Sequence, residues 1–188
     1  MKLWLVRHAE TEWSVDLRHT GHTDIPLTEA GREHARALRG ALAKTEFALA
    51  LCSPLSRARD TADLAGFESR YELRDALKEF DYGAYEGITT DEIRLSRPGW
   101  SVWRDGSLDG ESPDDVGARV DTIIDEARAA DGDVVCFAHG HVLRALAARW
   151  VDQPASFGGR LALSTGAVCV LGYERDVPVL WRWNDVSV

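Results

Sequence analysis

The length, composition and charge of this chain exclude several classes of protein. Its 188 residues suffice for one domain with a full core, and a hydrophobic content of 45% is ordinary for a globular protein. The formal net charge of −9 argues against nucleic acid or an acidic membrane surface as the main partner. An anionic substrate remains compatible with this charge, because a few arginines can make one cleft positive.

The cysteines indicate the redox environment. Cys52, Cys136 and Cys169 all lie in apolar runs typical of strands. Because they are few and odd in number, we expect free buried thiols in a reducing compartment. No apolar run is long enough to cross a bilayer, and no apolar leader precedes the first predicted strand. These features predict a cytoplasmic protein.

The first predicted strand ends in two chemically active side chains. The apolar run of residues 3–6 is typical of a strand buried on both faces, and it stops at Arg7 and His8. Ligands of open α/β sheets bind at this carboxyl edge. A guanidinium can hold a phosphate there, and a neutral imidazole is a good nucleophile. The same pattern also fits an ordinary strand end with two solvated polar residues.

A polar loop and an amphipathic helix are predicted next. The loop covers residues 10–26, and Thr28 is a typical N-cap for the helix. The helix carries a stripe with the spacing of one face, at Ala30, His34, Ala37, Leu38, Ala41 and Leu42. Residues 47–52 then predict a second buried strand.

The second strand also leads into a helix that carries a cation. Ser53 and Pro54 form a helix start signal, with the proline at the first helical position. The predicted helix covers residues 54–65 and has Arg57 near its amino end. A short strand is predicted around residues 70–73.

Residues 74–111 have the least regular pattern of the chain, and we interpret them as an irregular lid or insert across the sheet edge. They contain Glu79 and two tryptophans, Trp100 and Trp103. Because the tryptophans are three residues apart, they can share a helix face, where packing in a core or lid is more common than a substrate platform.

The last third of the chain returns to a regular pattern. Ser112 is a typical N-cap for a helix that runs to about residue 130. Residues 133–138 predict a third buried strand, which ends at His139, and a helix follows to about residue 150.

Two further strands, at residues 161–173 and 179–183, complete the prediction. Alternating strands and helices indicate an α/β fold, a three-layer sandwich with a mostly parallel central sheet and helices on both faces. We expect a single domain over residues 1–188.

Reactive side chains follow three of the buried strands. Arg7 and His8 follow the first, Ser53 and Arg57 the second, and His139 the third. If these strands are neighbours, their side chains meet at one edge together with a helix amino terminus, which makes an anion site.

The chemistry of such a site favours phosphoryl transfer. Nearby arginines keep His8 neutral and nucleophilic, and His139 could donate a hydrogen bond to the phosphoryl group. An acid must protonate the leaving oxygen, and Glu79 is the candidate, with a pKa raised by a partly apolar setting. Asp81 and Glu86 are alternative acids, the latter more typical of a structural loop residue.

Six motifs, spread over residues 2 to about 147, resemble those of the histidine phosphatase superfamily, also called phosphoglycerate-mutase-like. Within it the chain looks most similar to the short cofactor-independent acid phosphatases. The motifs occur in the family's order: LVRHAETEWS, GHTDIPLTEAGREHA, CSPLSRARDTA, KEFDYGAYEG, GES and FAHGHVLRAL.

The resemblance implies a role for each candidate residue. It implies that His8 becomes a phosphohistidine and that Glu79 is the proton donor. It implies that Arg7, Arg57 and His139 hold the phosphoryl group, with no metal and no cofactor.

The chain also departs from the family pattern. The family usually has glycine where this chain has Ala9, a methyl that negative φ would tolerate. It often has asparagine at Ser14, whose hydroxyl can still donate to a phosphate oxygen. Thr20, Gly21 and Gly140 are further phosphate-binding candidates.

The sequence offers alternative roles for the other histidines. His19 and His22 are more typical of solvated loop residues than of ligands, and His141 either lines the pocket or caps a helix. A zinc site built from these and His139 lacks a cysteine or acid cluster to complete it.

The sequence is compatible with three functions. A phosphatase passes the phosphoryl group to water, a mutase returns it to the substrate, and a non-catalytic module only binds phosphate. A mutase lid should be basic, but residues 80–111 hold seven acids against three bases, which favours hydrolysis of a phosphomonoester with a less acidic tail. We expect the partner to be a small phosphorylated metabolite. A homodimer is compatible with the terminal strand pair.

Overall fold

A six-stranded sheet forms the centre of the computed structural model, which describes residues 1–187. The strands run in the order β3-β2-β4-β1-β5-β6; the first four are parallel, and the last two are antiparallel to their neighbours. Their bounds are β1 Leu3–Arg7, β2 Phe47–Cys52, β3 Glu72–Leu73, β4 Asp133–Ala138, β5 Val168–Glu174 and β6 Val177–Asp185.

Helices cover both faces of the sheet, as the pattern of the sequence predicts. In β1, Leu5 packs in the larger core with helices α6 and α7, and Val6 packs on the opposite face with α2 and α3. The helix bounds are α1 Glu12–Val15, α2 Glu29–Leu42, α3 Ser56–Ala62, α4 Thr90–Ser96, α5 Val102–Asp105, α6 Pro113–Ala129 and α7 Gly140–Trp150. The three-layer α/β prediction is therefore confirmed.

The register of the parallel strands aligns their carboxyl ends. Arg7 of β1 pairs with Ala138 of β4, and Cys52 of β2 pairs with Phe137 of β4. The backbone N–H of His8 continues this pattern and donates to the carbonyl of Ala138 at 2.8 Å. The predicted neighbourhood of the three strand ends is thus confirmed.

Several predicted boundaries were wrong. The loop over residues 10–26 contains the short helix α1, and β5 begins at Val168 rather than at residue 161. Helix α3 begins at Ser56, not Pro54, because Leu55 is still extended and the Ser53 hydroxyl bonds His139.

The buried face of α2 also differs from the predicted stripe, because Ala30 and Ala37 are exposed. Gly31 takes a central place on the buried face, where a Cβ would lie only 2.3 Å from the carbonyl oxygen of Glu10. A close backbone approach of this kind leaves no apolar signal in the sequence. The buried positions are Gly31, Ala35, Leu38 and Leu42.

Residues 74–111 hold only the short helices α4 and α5 and two 3-10 turns, at Asp75–Leu77 and Gly83–Tyr85. Their role as a lid and the single-domain assignment of residues 1–188 stay predictions, and Val188 lies outside the described residues. None of the helices in residues 1–187 has the length and hydrophobicity of a membrane span.

Candidate active site

Four predicted site residues meet at the carboxyl edge of the sheet. The rings of His8 and His139 lie 5.2 Å apart between centroids, and both side chains are buried. Arg7 at the end of β1 and Arg57 in α3 are close enough to lower the pKa of His8 by their charge. Arg7 and His8 line a cavity of about 600 Å³.

The hydrogen bond of the His8 ring determines which nitrogen is available. Its Nδ1 lies 2.7 Å from the carbonyl oxygen of Ala9, and since a carbonyl only accepts, Nδ1 carries the proton. The lone pair is therefore on Nε2. Burial, followed by the charges of Arg57 and Arg7, holds the pKa of His8 well below its usual value. The imidazole is consequently neutral.

A loop holds Arg57 in place. This fully buried side chain donates to the carbonyl oxygens of Thr20, Gly21 and Thr23, at 3.0, 2.8 and 3.0 Å. Glu86 ties the same loop by accepting from the backbone N–H groups of Gly21 and Thr23.

Thr20 lines the cavity, but Gly21 has its N–H bound to Glu86 and lies tightly against the backbone of Phe80. The structure thus gives Gly21 a place in the loop that holds Arg57, and direct phosphate contact by either residue stays a prediction. Glu86 has the structural role expected of it.

Unpartnered donors cluster at this edge. Within residues 1–187, five buried side-chain atoms lack a hydrogen-bond partner, and three of them belong to Arg7, Arg57 and His139. His139 shares a 2.8 Å hydrogen bond with the hydroxyl of Ser53 through Nε2, which leaves Nδ1 unpartnered. Because unsatisfied buried donors are rare, their concentration here indicates a site for an acceptor-rich ligand.

Gly140 and Ser14 take more structural positions than predicted. A Cβ on Gly140 would lie 3.2 Å from the Arg7 guanidinium carbon, so the glycine permits close packing of that arginine. Ser14 lines the cavity, but its hydroxyl donates to the carbonyl of Thr11 at 2.7 Å. The same hydroxyl accepts from the backbone N–H of Thr11 at 3.0 Å, which completes a capping box. Phosphate binding by these two residues remains a prediction. Ala9 is not among the positive-φ residues of the described chain, so its methyl group is tolerated.

Glu79 lies in an environment unlike the one predicted. Its carboxylate accepts three backbone hydrogen bonds, from Phe80 at 3.0 Å, His141 at 2.9 Å and Val142 at 2.8 Å. Burial acts to raise the pKa of Glu79, but its hydrogen bonds with His141 hold it well below its usual value. The predicted raised pKa was therefore wrong, since the amino terminus of α7 stabilises the ionised form.

His19, which was expected to be a solvated loop residue, and His141, for which the pocket and a helix cap were both considered, lie in the cavity wall. His19 is buried and lines the cavity, with its Nδ1 donating to the carbonyl of Ile88, whereas His22 is exposed as expected. His141 lines the cavity and shares a 2.6 Å hydrogen bond with the Tyr82 hydroxyl.

The structure also shows how the two tryptophans and the alternative acid Asp81 lie relative to the cavity. Trp100 is buried and precedes α5, so it does not share a helix face with Trp103, although both line the cavity. Asp81 accepts from the backbone of Gly83 and does not line the cavity. This leaves Glu79 as the acid nearest the two histidines.

The histidines considered for zinc have other partners. His139 bonds Ser53, His141 bonds Tyr82, and His19 bonds a backbone carbonyl. Within residues 1–187, no three side chains of His, Cys, Asp or Glu are grouped as a metal site would require.

The buried histidines make stability depend on pH. Burial is the main cause that lowers the pKa of His8, His19, His139 and His141. Below the usual histidine pKa of about 6.5, the unfolded chain therefore binds protons that the native chain does not. We expect the free energy of unfolding to fall as pH drops from 7 to 5, measured by urea denaturation. Glu79, whose pKa is also depressed, adds a further loss below its usual range.

His19 and His22 provide a matched pair for this experiment, because one side chain is buried and the other exposed. The variant His19→Gln should reduce the slope of stability against pH, and His22→Gln should not. A wild-type stability that rises between pH 7 and 5 contradicts the assignment of buried neutral imidazoles.

A neutral buried imidazole beside two guanidinium groups, at the carboxyl edge of a mostly parallel sheet, defines a class of protein suited to phosphoryl chemistry. The family model described as the histidine phosphatase superfamily (branch 1) matches residues 3–186. The chain belongs to this superfamily, which confirms the resemblance carried by its six motifs.

Relatives within the family include both hydrolases and a mutase. An acid phosphatase of Mycobacterium tuberculosis is 41% identical over 180 residues, 94% of this chain and 88% of the relative. A 2,3-bisphosphoglycerate-dependent phosphoglycerate mutase of Mesorhizobium japonicum is 34% identical over 203 residues, 97% of this chain and 92% of the relative. The solved structure of an open reading frame product of Mycobacterium tuberculosis has a TM-score of 0.92 and 39% identity, covering 97% and 96% of the two chains.

Proposed function

We propose that this protein hydrolyses phosphomonoesters of small metabolites through a phosphohistidine on His8. Glu79 is the proton donor, and Arg7, Arg57 and His139 bind the phosphoryl group without a metal. The observation that carries the proposal is the hydrogen bond from His8 Nδ1 to the carbonyl of Ala9, which leaves Nε2 as a free lone pair. The acid phosphatase of Mycobacterium tuberculosis, 41% identical, supports hydrolysis as the reaction.

The first half-reaction transfers the phosphoryl group to the protein. His8 Nε2 attacks phosphorus, the ester P–O bond breaks, and the leaving oxygen takes a proton from Glu79. Arg7, Arg57 and His139 stabilise the charge on the equatorial oxygens with their unpartnered nitrogens.

The second half-reaction returns the protein to its starting state. Water attacks phosphorus, the N–P bond breaks, and the Glu79 carboxylate accepts the proton of the water. The low pKa of Glu79 suits this step, because the carboxylate is ionised and can act as a base. Because Glu79 is ionised in the free protein, a monoanionic phosphate ester supplies the proton of the first step: it gives its proton to Glu79, and Glu79 passes that proton to the leaving oxygen. The proton that Glu79 later takes from water leaves with the phosphate product, which restores the ionised carboxylate.

The mutase-type reaction is the second candidate. The positions of the lid acids in the structure favour it more than their number in the sequence did. Of the seven acids in residues 80–111, only Asp91 lines the cavity, because others are used in caps and ion pairs. The acidic composition of residues 80–111 is therefore no evidence against a mutase. The arginines that line the cavity are Arg7, Arg18, Arg94 and Arg144.

The test is turnover of p-nitrophenyl phosphate in EDTA, combined with trapping of the intermediate. We expect hydrolysis to persist in EDTA and an acid-labile phosphoryl group to be found on His8 by mass spectrometry of protein quenched in alkali. A label on another residue, or activity that EDTA abolishes, contradicts the proposal. A separate assay with phosphoglycerates detects mutase turnover.

We also propose that the protein works in the cytoplasm and acts on a small phosphorylated metabolite, without nucleic acid or membrane as partner. The free, buried state of Cys52, Cys136 and Cys169 supports a reducing compartment. Homodimer formation stays a prediction, which analytical ultracentrifugation checks.

A further inference from the structure

Arg144 is a cavity residue to which the proposed reaction gives no role. It lies in the second turn of α7, three residues after His141, so both side chains share one helix face. Both line the cavity that contains Arg7 and His8. Arg144 is half-buried, which is unusual for a cation without a counter-ion.

The guanidinium of Arg144 is held in place by an uncharged frame. Its Nε donates to the carbonyl of Gly158 at 2.9 Å, and its carbon lies 4.7 Å from the centroid of the Trp103 ring. The indole of Trp103 is itself tightly packed, since a Cβ on Gly158 would lie 2.6 Å from it. The side chain is therefore oriented before any ligand binds.

No carboxylate neutralises this guanidinium within residues 1–187, and its two terminal nitrogens donate to none of the described residues. Arg149, on the same helix, instead forms two 2.9 Å hydrogen bonds to Asp121. Glu79 raises the pKa of Arg144 against the effect of burial, but three backbone N–H groups occupy its oxygens. Burying an unpaired cation costs free energy. The planar guanidinium can donate two parallel hydrogen bonds to a carboxylate or phosphate.

We propose that Arg144 forms a second anion site in the cavity, which binds a carboxylate or a second phosphate group of the substrate. This inference rests on the proposed function, in which Arg7 and Arg57 bind the phosphoryl group that is transferred. It narrows the substrate class to phosphomonoesters that carry a second anionic group.

Two pairs of substrates test the inference, because the members of each pair differ by one anionic group. Glycerol 3-phosphate is compared with 3-phosphoglycerate, and fructose 6-phosphate with fructose 1,6-bisphosphate. The wild type should have the higher kcat/KM for the second member of at least one pair. The pair that shows the preference distinguishes a carboxylate from a phosphate.

The variant Arg144→Gln should lower kcat/KM for that preferred substrate about 10- to 100-fold, the effect of one lost charge-assisted hydrogen bond. Its turnover of p-nitrophenyl phosphate should stay within about threefold, which also shows that the variant folds. Arg144→Lys keeps the charge without the fork and should lose less. Arg149→Gln removes a charge from the same helix outside the cavity and should preserve the substrate preference.

Three results overturn the inference. The first is a wild type with no preference within either pair, and the second is an Arg144→Gln variant that keeps the preference. The third is an Arg144→Gln variant whose turnover of all esters falls equally, which is the effect expected if Arg144 binds the transferred phosphoryl group. If the wild type hydrolyses none of the esters, the proposed function fails instead. Calorimetric titration of His8→Ala with 3-phosphoglycerate, with and without Arg144→Gln, then still tests the anion site.

Discussion

Replacing His8 by alanine should reduce the kcat for p-nitrophenyl phosphate by roughly 10⁴- to 10⁶-fold, the range expected for the loss of a covalent nucleophile. The side chain is buried beside His139, and its Nε2 lone pair is the group that attacks phosphorus in the proposed reaction. Steady-state kinetics measures the loss. Affinity for inorganic phosphate should largely remain, because Arg7 and Arg57 are unchanged in this variant.

The control for this prediction is His22→Ala, which removes an exposed imidazole and should leave kcat unchanged. Both variants should show a single cooperative unfolding transition, which separates lost chemistry from lost folding. Residual activity of His8→Ala above one per cent of the wild type indicates a different nucleophile and contradicts the phosphohistidine mechanism.

Replacing Glu79 by glutamine should have an effect that depends on the leaving group. For an alkyl phosphate such as glycerol 3-phosphate, whose alkoxide leaves poorly, we expect kcat to fall about 10²- to 10⁴-fold. For p-nitrophenyl phosphate the fall should be far smaller in the first half-reaction, because p-nitrophenolate leaves without a proton. Rapid-quench measurement of phenolate release checks this prediction.

The two substrates serve as internal controls for Glu79→Gln, since a folding defect would lower both rates alike. Asp81→Asn tests the alternative acid, whose carboxylate bonds the backbone of Gly83 rather than facing the cavity. A leaving-group dependence in Asp81→Asn that is absent from Glu79→Gln would reverse the assignment of the proton donor.

The acid–base properties of Glu79 show how a local pattern can mislead. The aromatic and glycine-rich neighbourhood of Glu79 in sequence indicated an apolar setting with a raised pKa. The carboxylate is indeed buried, but it faces the first turn of α7, whose N–H groups stabilise its charge. These partners are 62 and 63 residues away along the chain, so local composition could not predict them.

The charge of the lid is a second example. The sequence counts seven acids in residues 80–111, but Glu86, Glu92 and Glu111 are used in a loop, a helix cap and an ion pair. The cavity is instead lined by four arginines and three acids, and three of the arginines, Arg7, Arg18 and Arg144, reach it from outside this segment. Net charge of a segment predicts neither the direction nor the partners of its side chains.

The sequence by itself determined the α/β class, the three buried strands and the residues that end them. Those inferences depend on apolar runs and cap residues, which are local, and on motifs that occur in one order. Only the tertiary structure decided that Arg57 donates hydrogen bonds to the loop of residues 20–23 and that Glu79 is ionised. It also decided that Arg144 lines the cavity. The physical reason is that these properties depend on hydrogen bonds, burial and charge between segments distant in the chain, which sequence spacing does not encode.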